Sequence, residues 1–281
     1  MGMFTIAPTG SIEAFEVEPG GSTQFSARSG VLFKGKELVL YPQGKHDTYY
    51  RVPDDITKIA TYAISDNSKL ENIDLNNVKT LESSAIYNAQ KLTSITIPRD
   101  IKKYGTVPGE GLKEGCFESC PNVEKYLLAS GNGDFYIDNG VLLSKDKTIL
   151  YSYPPKKQGT TYNIPTTVTK IGMHAFHGAK YITSIFIPAS VESIDTEAFR
   201  GLDELTTVTF DPNSKVTSIS SSAFRGCGKL KEVTLPKNIT WLGAVFYECG
   251  NLEVINVPAD SKLRYIGSGS FSNYQDRKSV V

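Results

Sequence analysis

The sequence predicts a solenoid, in which short tandem repeats stack with a parallel β-sheet along one side. Three observations predict it. A two-part pattern, I-G-x-x-A-F followed by I-x-x-I-x-I-P, runs from Val168 to Pro188 and returns three more times by Pro258. Less regular copies occupy the N-terminal half of the chain. The spacing within each copy is that of a short strand and a turn, and a short unit repeated in this way is typical of solenoids.

The second half of the pattern predicts the strands. In LKEVTLP, Leu230, Val233 and Leu235 are apolar, while Glu232 and Thr234 lie between them. Side chains alternate across a strand, so the two polar residues point away from the buried side. Stacked copies then form a parallel sheet on the concave side of the solenoid, with a continuous apolar ladder beneath it.

The I-G-x-x-A-F half predicts the return of the chain on the convex side. These segments are short and rich in Ser and Gly, so we expect 3₁₀ or irregular turns with few or no long α-helices. The phenylalanine of each copy fills the interior, and successive copies should stack as an aromatic spine formed by Phe176, Phe199, Phe224, Phe246 and Phe271. Ile64 and Ile86 take the same place in the N-terminal copies.

Residues 1–281 are predicted to form a single domain with a second level of repetition. Strands are expected at Phe4–Ala7 and Ile12–Glu18, and β-hairpins are inserted near residues 25–42 and 135–154. A block of about 111 residues, 11–121, is repeated as 122–232, with offsets of 110 to 112 between matching residues. One copy is longer than the others by an insertion at residues 99–115, predicted to be a surface loop.

The repeat resembles that of a known family. Lys229 to Pro236, with Val168 to Gly172 and Ala175-Phe176, fit L-x-x-I-x-L-P-x-x-V-x-x-I-G-x-x-A-F-x-x-C. This is similar to the repeat of the Bacteroides surface antigen A-like (BspA-like) leucine-rich repeat proteins, and the hairpin inserts resemble that family as well. The resemblance implies a leucine-rich repeat solenoid, secreted or on the cell surface of a host-associated bacterium. It also implies adhesion to host matrix proteins or to other cells.

Composition narrows the function classes. Thirty basic and thirty acidic residues cancel, and no basic block stands out, so nucleic acid is not expected as a partner. Apolar runs are too short to span a membrane. The first residues lack the features of a signal peptide, and we expect a signal segment or lipid anchor to have been removed ahead of them. The protein is predicted to be a monomer.

No catalytic, metal or cofactor site is predicted. His174 and His177 form H-x-x-H, half of a metal-binding pattern, but the sequence places no third ligand and both are interpreted as polar surface residues. Neither a nucleophile motif nor a phosphate-binding loop is present.

The four cysteines are interpreted as buried free thiols. Cys120, Cys227 and Cys249 each follow the spine position of their repeat by three residues. A disulfide between Cys227 and Cys249, or between Cys116 and Cys120, remains open at this stage.

Ligand binding is therefore expected on exposed side chains of the scaffold. The outward row of the concave sheet supplies seven candidates: Arg51, Asp74, Leu127, Asn163, Phe186, Thr209 and Asn256. Phe186 stands out as an aromatic residue in a polar row. Trp241 and Tyr265, in successive repeats, form an alternative aromatic patch that could bind a sugar ring or a protein, shield the last repeat or meet a further domain. The leading hypothesis is a non-enzymatic protein-binding module. The alternative is carbohydrate recognition or a scaffold role in a surface nutrient-uptake system.

Overall fold

The computed structural model describes residues 11–20, 24–103 and 110–270. The chain divides between residues 134 and 135 into two compact units. Each unit is a stretch of β-solenoid, with about ten turns in the two together and no helix among the described residues. Nothing in that part of the chain has the helical length and apolar character needed to cross a membrane. The predicted solenoid with parallel sheets is confirmed.

Each turn of the solenoid passes three walls, named here by the segment that forms them. The strand wall holds the L-x-x-I-x-L segments, the I-G wall holds the V-x-x-I-G segments, and the A-F wall holds the segments around the spine residue. The strands of the first unit are β1 Phe25–Arg28, β2 Val31–Lys34, β3 Glu37–Leu40, β4 Tyr49–Arg51, β5 Lys58–Ile59, β6 Ile64–Ser65, β7 Asn72–Asp74, β8 Thr80–Leu81, β9 Ile86–Tyr87, β10 Ser94–Ile97, β11 Gly111–Leu112, β12 Phe117–Glu118 and β13 Lys125–Leu128.

In the first unit the three walls are separate sheets. The I-G wall has the order β1-β2-β3-β5-β8-β11, and its last three neighbour pairs are parallel. The strand wall contains the parallel pairs β4-β7 and β10-β13. The A-F wall is itself a parallel sheet of two-residue strands, β6-β9-β12, which the sequence pattern did not predict.

The second unit repeats this plan. Its strands are β14 Phe135–Asp138, β15 Val141–Ser144, β16 Ile149–Ser152, β17 Lys170–Ile171, β18 Ser184–Ile187, β19 Ser193–Ile194, β20 Thr207–Phe210, β21 Ser218–Ile219, β22 Glu232–Thr234, β23 Trp241–Leu242, β24 Val254–Asn256 and β25 Tyr265–Ile266. The strand wall is the parallel sheet β18-β20-β22-β24. The I-G wall consists of β14-β15-β16-β17-β19-β21 and the pair β23-β25.

The predicted hairpin inserts are three-stranded antiparallel meanders, β1-β2-β3 and β14-β15-β16. Their first turns, Ser29-Gly30 and Asn139-Gly140, have positive φ at both residues, as a type I′ hairpin turn requires. The third strand of each meander pairs in parallel with the next strand of the solenoid, so the insert starts the I-G wall of its unit.

The A-F wall turns because left-handed residues flank the spine. His174, Glu197 and Ser222 have positive φ two residues before a spine phenylalanine, and Gly178, Gly201 and Gly226 have positive φ two residues after it. Between these bends the Phe176 N–H donates to the Ala198 carbonyl at 2.6 Å, and the Phe199 N–H donates to the Ala223 carbonyl at 2.7 Å. The bends thus turn the chain while the spine residue stays hydrogen-bonded to the next turn.

The aromatic spine is confirmed from Phe176 to Phe246. Successive ring centroids lie 4.9, 4.8 and 5.5 Å apart, with interplanar angles of 20°, 7° and 18°. Tyr153, from the end of the meander, extends the stack at 5.1 Å from Phe176. Burial raises the pKa of the Tyr153 phenol to about 12, so the ring is neutral in the core. Phe271 lies outside the described residues.

Other predictions fare differently. Ile12–Glu18 is not a strand, because it makes isolated backbone bonds, such as that from the Phe15 N–H to the Gly30 carbonyl, without a continuous ladder. The strand at Phe4–Ala7 lies outside the described residues. Part of the 99–115 insertion belongs to the scaffold, since Gly111–Leu112 is strand β11 and Ile101 is buried. The duplication of residues 11–121 and the single-domain assignment stay predictions.

All four cysteines are buried thiols. The Cys227 thiol donates to the Phe199 carbonyl at 3.2 Å, and the Cys249 thiol donates to the Phe224 carbonyl at 3.0 Å. Each thiol therefore donates to the spine carbonyl of the preceding turn. Ala179 and Leu202 hold the same position in other turns without a donor, so the position requires an apolar side chain and the thiol bond is an addition.

Candidate ligand-binding surfaces

The strand wall of the second unit presents its outward row as the sequence predicts. Ile185, Val208 and Val233 point inward and are almost fully buried, so their neighbours along each strand point outward. Parallel pairing places Phe186 beside Thr209, and Thr234 beside Asn256. The row is therefore a continuous feature of β18, β20, β22 and β24.

Phe186 is the one aromatic residue at the centre of that row. Half of it is exposed (50%), although Ile185 and Ile187 on either side are buried. Thr209 in the next turn is exposed, and so is Asn163 in the preceding turn, which lies outside any strand. The core does not use this ring, and its surroundings are polar.

Asn256, at the other end of the row, is held by its neighbours. Its amide donates to the carboxylate of Glu232 and, at 3.4 Å, to the Thr234 hydroxyl. Val254, on the same side of β24, is exposed, and the sequence-based selection did not include it. Its position two residues before Asn256 would have identified it.

In the first unit the structure brings Arg51 and Asp74 together as register partners on β4 and β7. The Arg51 guanidinium lies 2.7 Å from Asp54 Oδ1 and 3.2 Å from Asp74 Oδ2. Asn76 also donates to Asp54, and hydrogen bonds from Asn76 and Arg51 lower the pKa of Asp54. Two carboxylates therefore already form ion pairs with the Arg51 guanidinium, and a ligand carboxylate would have to compete with both.

Leu127 lies farther along the strand wall of the first unit, beside Thr96, and is partly exposed. Tyr49 is more exposed than Leu127 and points to the same side as Arg51, two residues away. Sequence reasoning missed it because only the central position of each strand was considered. An aromatic residue two positions before Arg51 was the available signal.

The I-G wall carries the alternative patch. Trp241 and Tyr265 are register partners on β23 and β25, with exposed fractions of 48% and 69%. Their rings do not stack against each other within the described chain. The indole instead lies over Gly243, where an added Cβ would be 2.2 Å from Cη2.

His174 and His177 are not the polar surface residues that the sequence predicts. Only 10% of the His174 side chain is exposed, and its Nε2 lies 3.3 Å from Glu197 Oε2. Hydrogen bonds from His174 and Arg200 outweigh the opposing effect of burial and lower the pKa of Glu197 to about 2. Burial, with the charges of His174 and Arg200, lowers the pKa of His177 to about 4. This partial burial is not readable from the sequence, because the same positions hold polar residues in other turns.

With the three walls described, the repeat can be compared with known ones. The BspA type leucine-rich repeat region matches residues 46–124 and 151–278, in six copies. The chain belongs to this family. A comparison with curated proteins gives no significant match.

Solved bacterial leucine-rich repeat structures are similar to this one. A leucine-rich cell surface protein from Faecalibacterium prausnitzii is 26% identical, with a TM-score of 0.66, over 79% of this chain and 60% of its own. A leucine-rich repeat protein from Eubacterium ventriosum is 23% identical, with a TM-score of 0.60, over 82% of this chain and 76% of its own. The pneumococcal vaccine antigen PcpA is 22% identical, with a TM-score of 0.61, over 81% and 59%. The last two likenesses show the fold alone.

Proposed function

We propose that this BspA-type chain is a non-enzymatic protein-binding module, secreted or held at a bacterial cell surface, and that Phe186 anchors its protein ligand. The observation that carries the proposal is the half-exposed Phe186 ring at the centre of a polar, regular strand wall. Aromatic residues are enriched among the side chains that dominate protein–protein binding energy.

The scaffold explains why Phe186 is free to serve a ligand. Turn after turn, the inward positions of the strand wall complete the core, whereas the central outward position varies without cost to packing. Thr209 and Thr234 show that a small polar side chain is sufficient there. A phenylalanine at this place exposes apolar surface that folding does not use.

The family supports a surface location. The chain has the BspA type repeat, and the similar Faecalibacterium structure is that of a cell surface protein. We infer an adhesin that binds host matrix proteins or other cells. The remaining candidates of the row in the second unit, Asn163, Thr209 and Asn256, would form the polar margin around the anchor. Leu127 stays a separate candidate in the first unit.

Binding to immobilised fibronectin and fibrinogen, with serum albumin as the reference surface, tests the proposal. Half of the Phe186 ring remains to be buried, which is worth about 1–1.5 kcal/mol, so Phe186→Ala should weaken binding about tenfold. Tyr62→Ala is the matched control, since Tyr62 is an exposed aromatic residue on the A-F wall of the other unit. Arg51→Ala should have a smaller effect, because Asp54 and Asp74 already pair with that charge.

Saturable binding that Phe186→Ala weakens and Tyr62→Ala leaves unchanged supports the assignment. Equal loss in both variants would show that the strand wall is not the contact surface. Absence of saturable binding to both matrix proteins would contradict the adhesin class.

A further inference from the structure

The I-G wall of the second unit changes character at β23. In the preceding turns the outward residue of this wall is Lys170, Ser193 or Ser218, in register with one another. At the next two turns it becomes Trp241 and then Tyr265. Trp241 is the single tryptophan of the chain.

The Trp241 indole rests on a shelf made by two glycines. Residues two apart on a strand point to the same side, so a side chain at position 243 would share the space of the indole. A Cβ on Gly243 would lie 2.2 Å from Cη2 and 2.6 Å from Cζ3 of Trp241. A Cβ on Gly267, in the next turn, would lie 3.5 Å from Cζ2. The ring therefore lies against the glycine backbone.

The other side of this ring faces water. Trp241 is 48% exposed and Tyr265 is 69% exposed. Among the described residues, neither the indole Nε1–H nor the Tyr265 hydroxyl has a hydrogen-bond partner. A flat aromatic face, fixed by the scaffold and bordered by two free polar groups, is preorganised for a ligand, because little freedom is lost when the ligand binds.

We propose that Trp241 is a stacking platform for a neutral pyranose sugar, with Tyr265 and the indole N–H as hydrogen-bonding partners of its hydroxyl groups. This site goes beyond the proposed protein-binding function and lies on a different wall. An equatorially substituted pyranose has C–H groups on its flat face, and these carry partial positive charge that complements the negative face of an aromatic ring. The rim of the sugar carries hydroxyls that match the two free groups.

The form of the site favours a sugar over a protein side chain. Trp241 and Tyr265 lie exposed on the two-stranded sheet β23-β25, and stacking on a sugar needs only one open aromatic face. Trp241, Gly243, Gly267 and Tyr265 carry no charge, which fits a neutral ligand.

Tryptophan fluorescence, excited at wavelengths that tyrosine does not absorb, tests the proposal directly, since Trp241 is the single tryptophan of the chain. The probes are cellotetraose and chitotetraose, whose rings are equatorially linked and neutral. We expect a saturable blue shift of the emission and reduced quenching by acrylamide with at least one of the two. Calorimetry on the same samples gives the dissociation constant.

Two glycine variants separate the platform from general stability. Gly243→Ala has no backbone strain to overcome but displaces the indole, and should weaken sugar binding at least tenfold while Trp241 remains present. Gly228→Ala, in an earlier turn of the same unit, adds a methyl group with no neighbouring atom within 4 Å and should change binding less than twofold. Tyr265→Phe should weaken binding severalfold by removing the hydroxyl.

The outcomes are distinct. No spectral change with either sugar overturns the proposal, and so does binding that Gly243→Ala leaves intact. If neither sugar binds and Trp241→Ala abolishes binding to fibronectin or fibrinogen, the β23-β25 pair is a protein contact and the proposal is wrong. Phe186→Ala should leave the sugar response unchanged, so this site and the proposed function can fail separately.

Discussion

Phe199 should be the side chain whose loss damages the second unit most. It has no exposed surface, and its ring stacks between Phe176 at 4.9 Å and Phe224 at 4.8 Å. Phe199→Ala removes the buried ring and leaves a cavity, at a cost of about 3–5 kcal/mol. Loss of two stacked neighbours, each worth about 0.5–1.5 kcal/mol, puts the expected value in the upper part of that range.

Phe199→Leu separates the two contributions. Leucine keeps most of the buried apolar volume and loses the stacking, so we expect a cost of about 1–2 kcal/mol. Phe186→Ala is the matched control, because the same atoms are deleted from a half-exposed side chain of the same unit. It should cost less than about 1 kcal/mol.

Urea unfolding, followed by Trp241 fluorescence and far-ultraviolet circular dichroism together, measures these differences. Phe199→Ala should lower the midpoint by about 1–2 M urea. Agreement of the two probes checks that the unit unfolds cooperatively, which repeat proteins do not always do. A Phe199→Ala midpoint within experimental error of that of Phe186→Ala would refute the idea that the spine carries the stability.

Three further predictions follow from buried polar groups. The folded pKa of His177, about 4, is below its ordinary 6.5. The stability that the neutral imidazole contributes should therefore be fully present above pH 6.5 and fall by up to about 3 kcal/mol as the pH drops towards 4. The melting temperature, followed from pH 7 to 5, should fall less in His177→Gln than in the parent protein. Asn67 is fully buried, donates to three backbone carbonyls and accepts hydrogen bonds from two backbone N–H groups. Asn67→Ala should therefore lower the free energy of urea unfolding by about 2–4 kcal/mol. Asn77→Ala, at an exposed position, should lower it by less than about 1 kcal/mol. Burial raises the pKa of Cys120 to about 12, while a hydrogen bond from Cys227 lowers that of Cys249, so an alkylating reagent at pH 8 should label Cys249 first, as peptide mass spectrometry would show.

The architecture was predictable because each repeat shows the same spacing of apolar residues. The spacing of Leu230, Val233 and Leu235 predicted a buried ladder, and four copies of that spacing supported the prediction independently. The three walls were harder to separate. The third wall depends on positive φ at non-glycine residues such as His174 and Glu197, for which the sequence carries no consistent residue type.

The errors have the same physical origin. Ile12–Glu18 has the alternating pattern of a strand, but a strand forms only where a neighbouring edge offers a continuous ladder of hydrogen bonds. This segment makes only isolated backbone hydrogen bonds. The 99–115 insertion looked like a loop from its glycines and prolines, although two of its residues, Gly111 and Leu112, continue the I-G wall. His177 is polar and yet buried, since the turn leaves it against Gly201 and its charged neighbours.

Repetition also makes the exposed positions interpretable. When Thr209 and Thr234 fill an outward position with a small polar side chain, the scaffold evidently places no demand for an aromatic ring there, and Phe186 therefore requires a cause outside the core. Trp241 departs from Ser193 and Ser218 in the same way. The two rings differ in how they are held, since Phe186 stands between polar neighbours while Trp241 lies flat on glycine. An exposed apolar ring among polar groups can be buried by a partner, and a ring that lies against glycine offers its open face for stacking. On this difference rest the proposed protein ligand at Phe186 and the proposed sugar at Trp241.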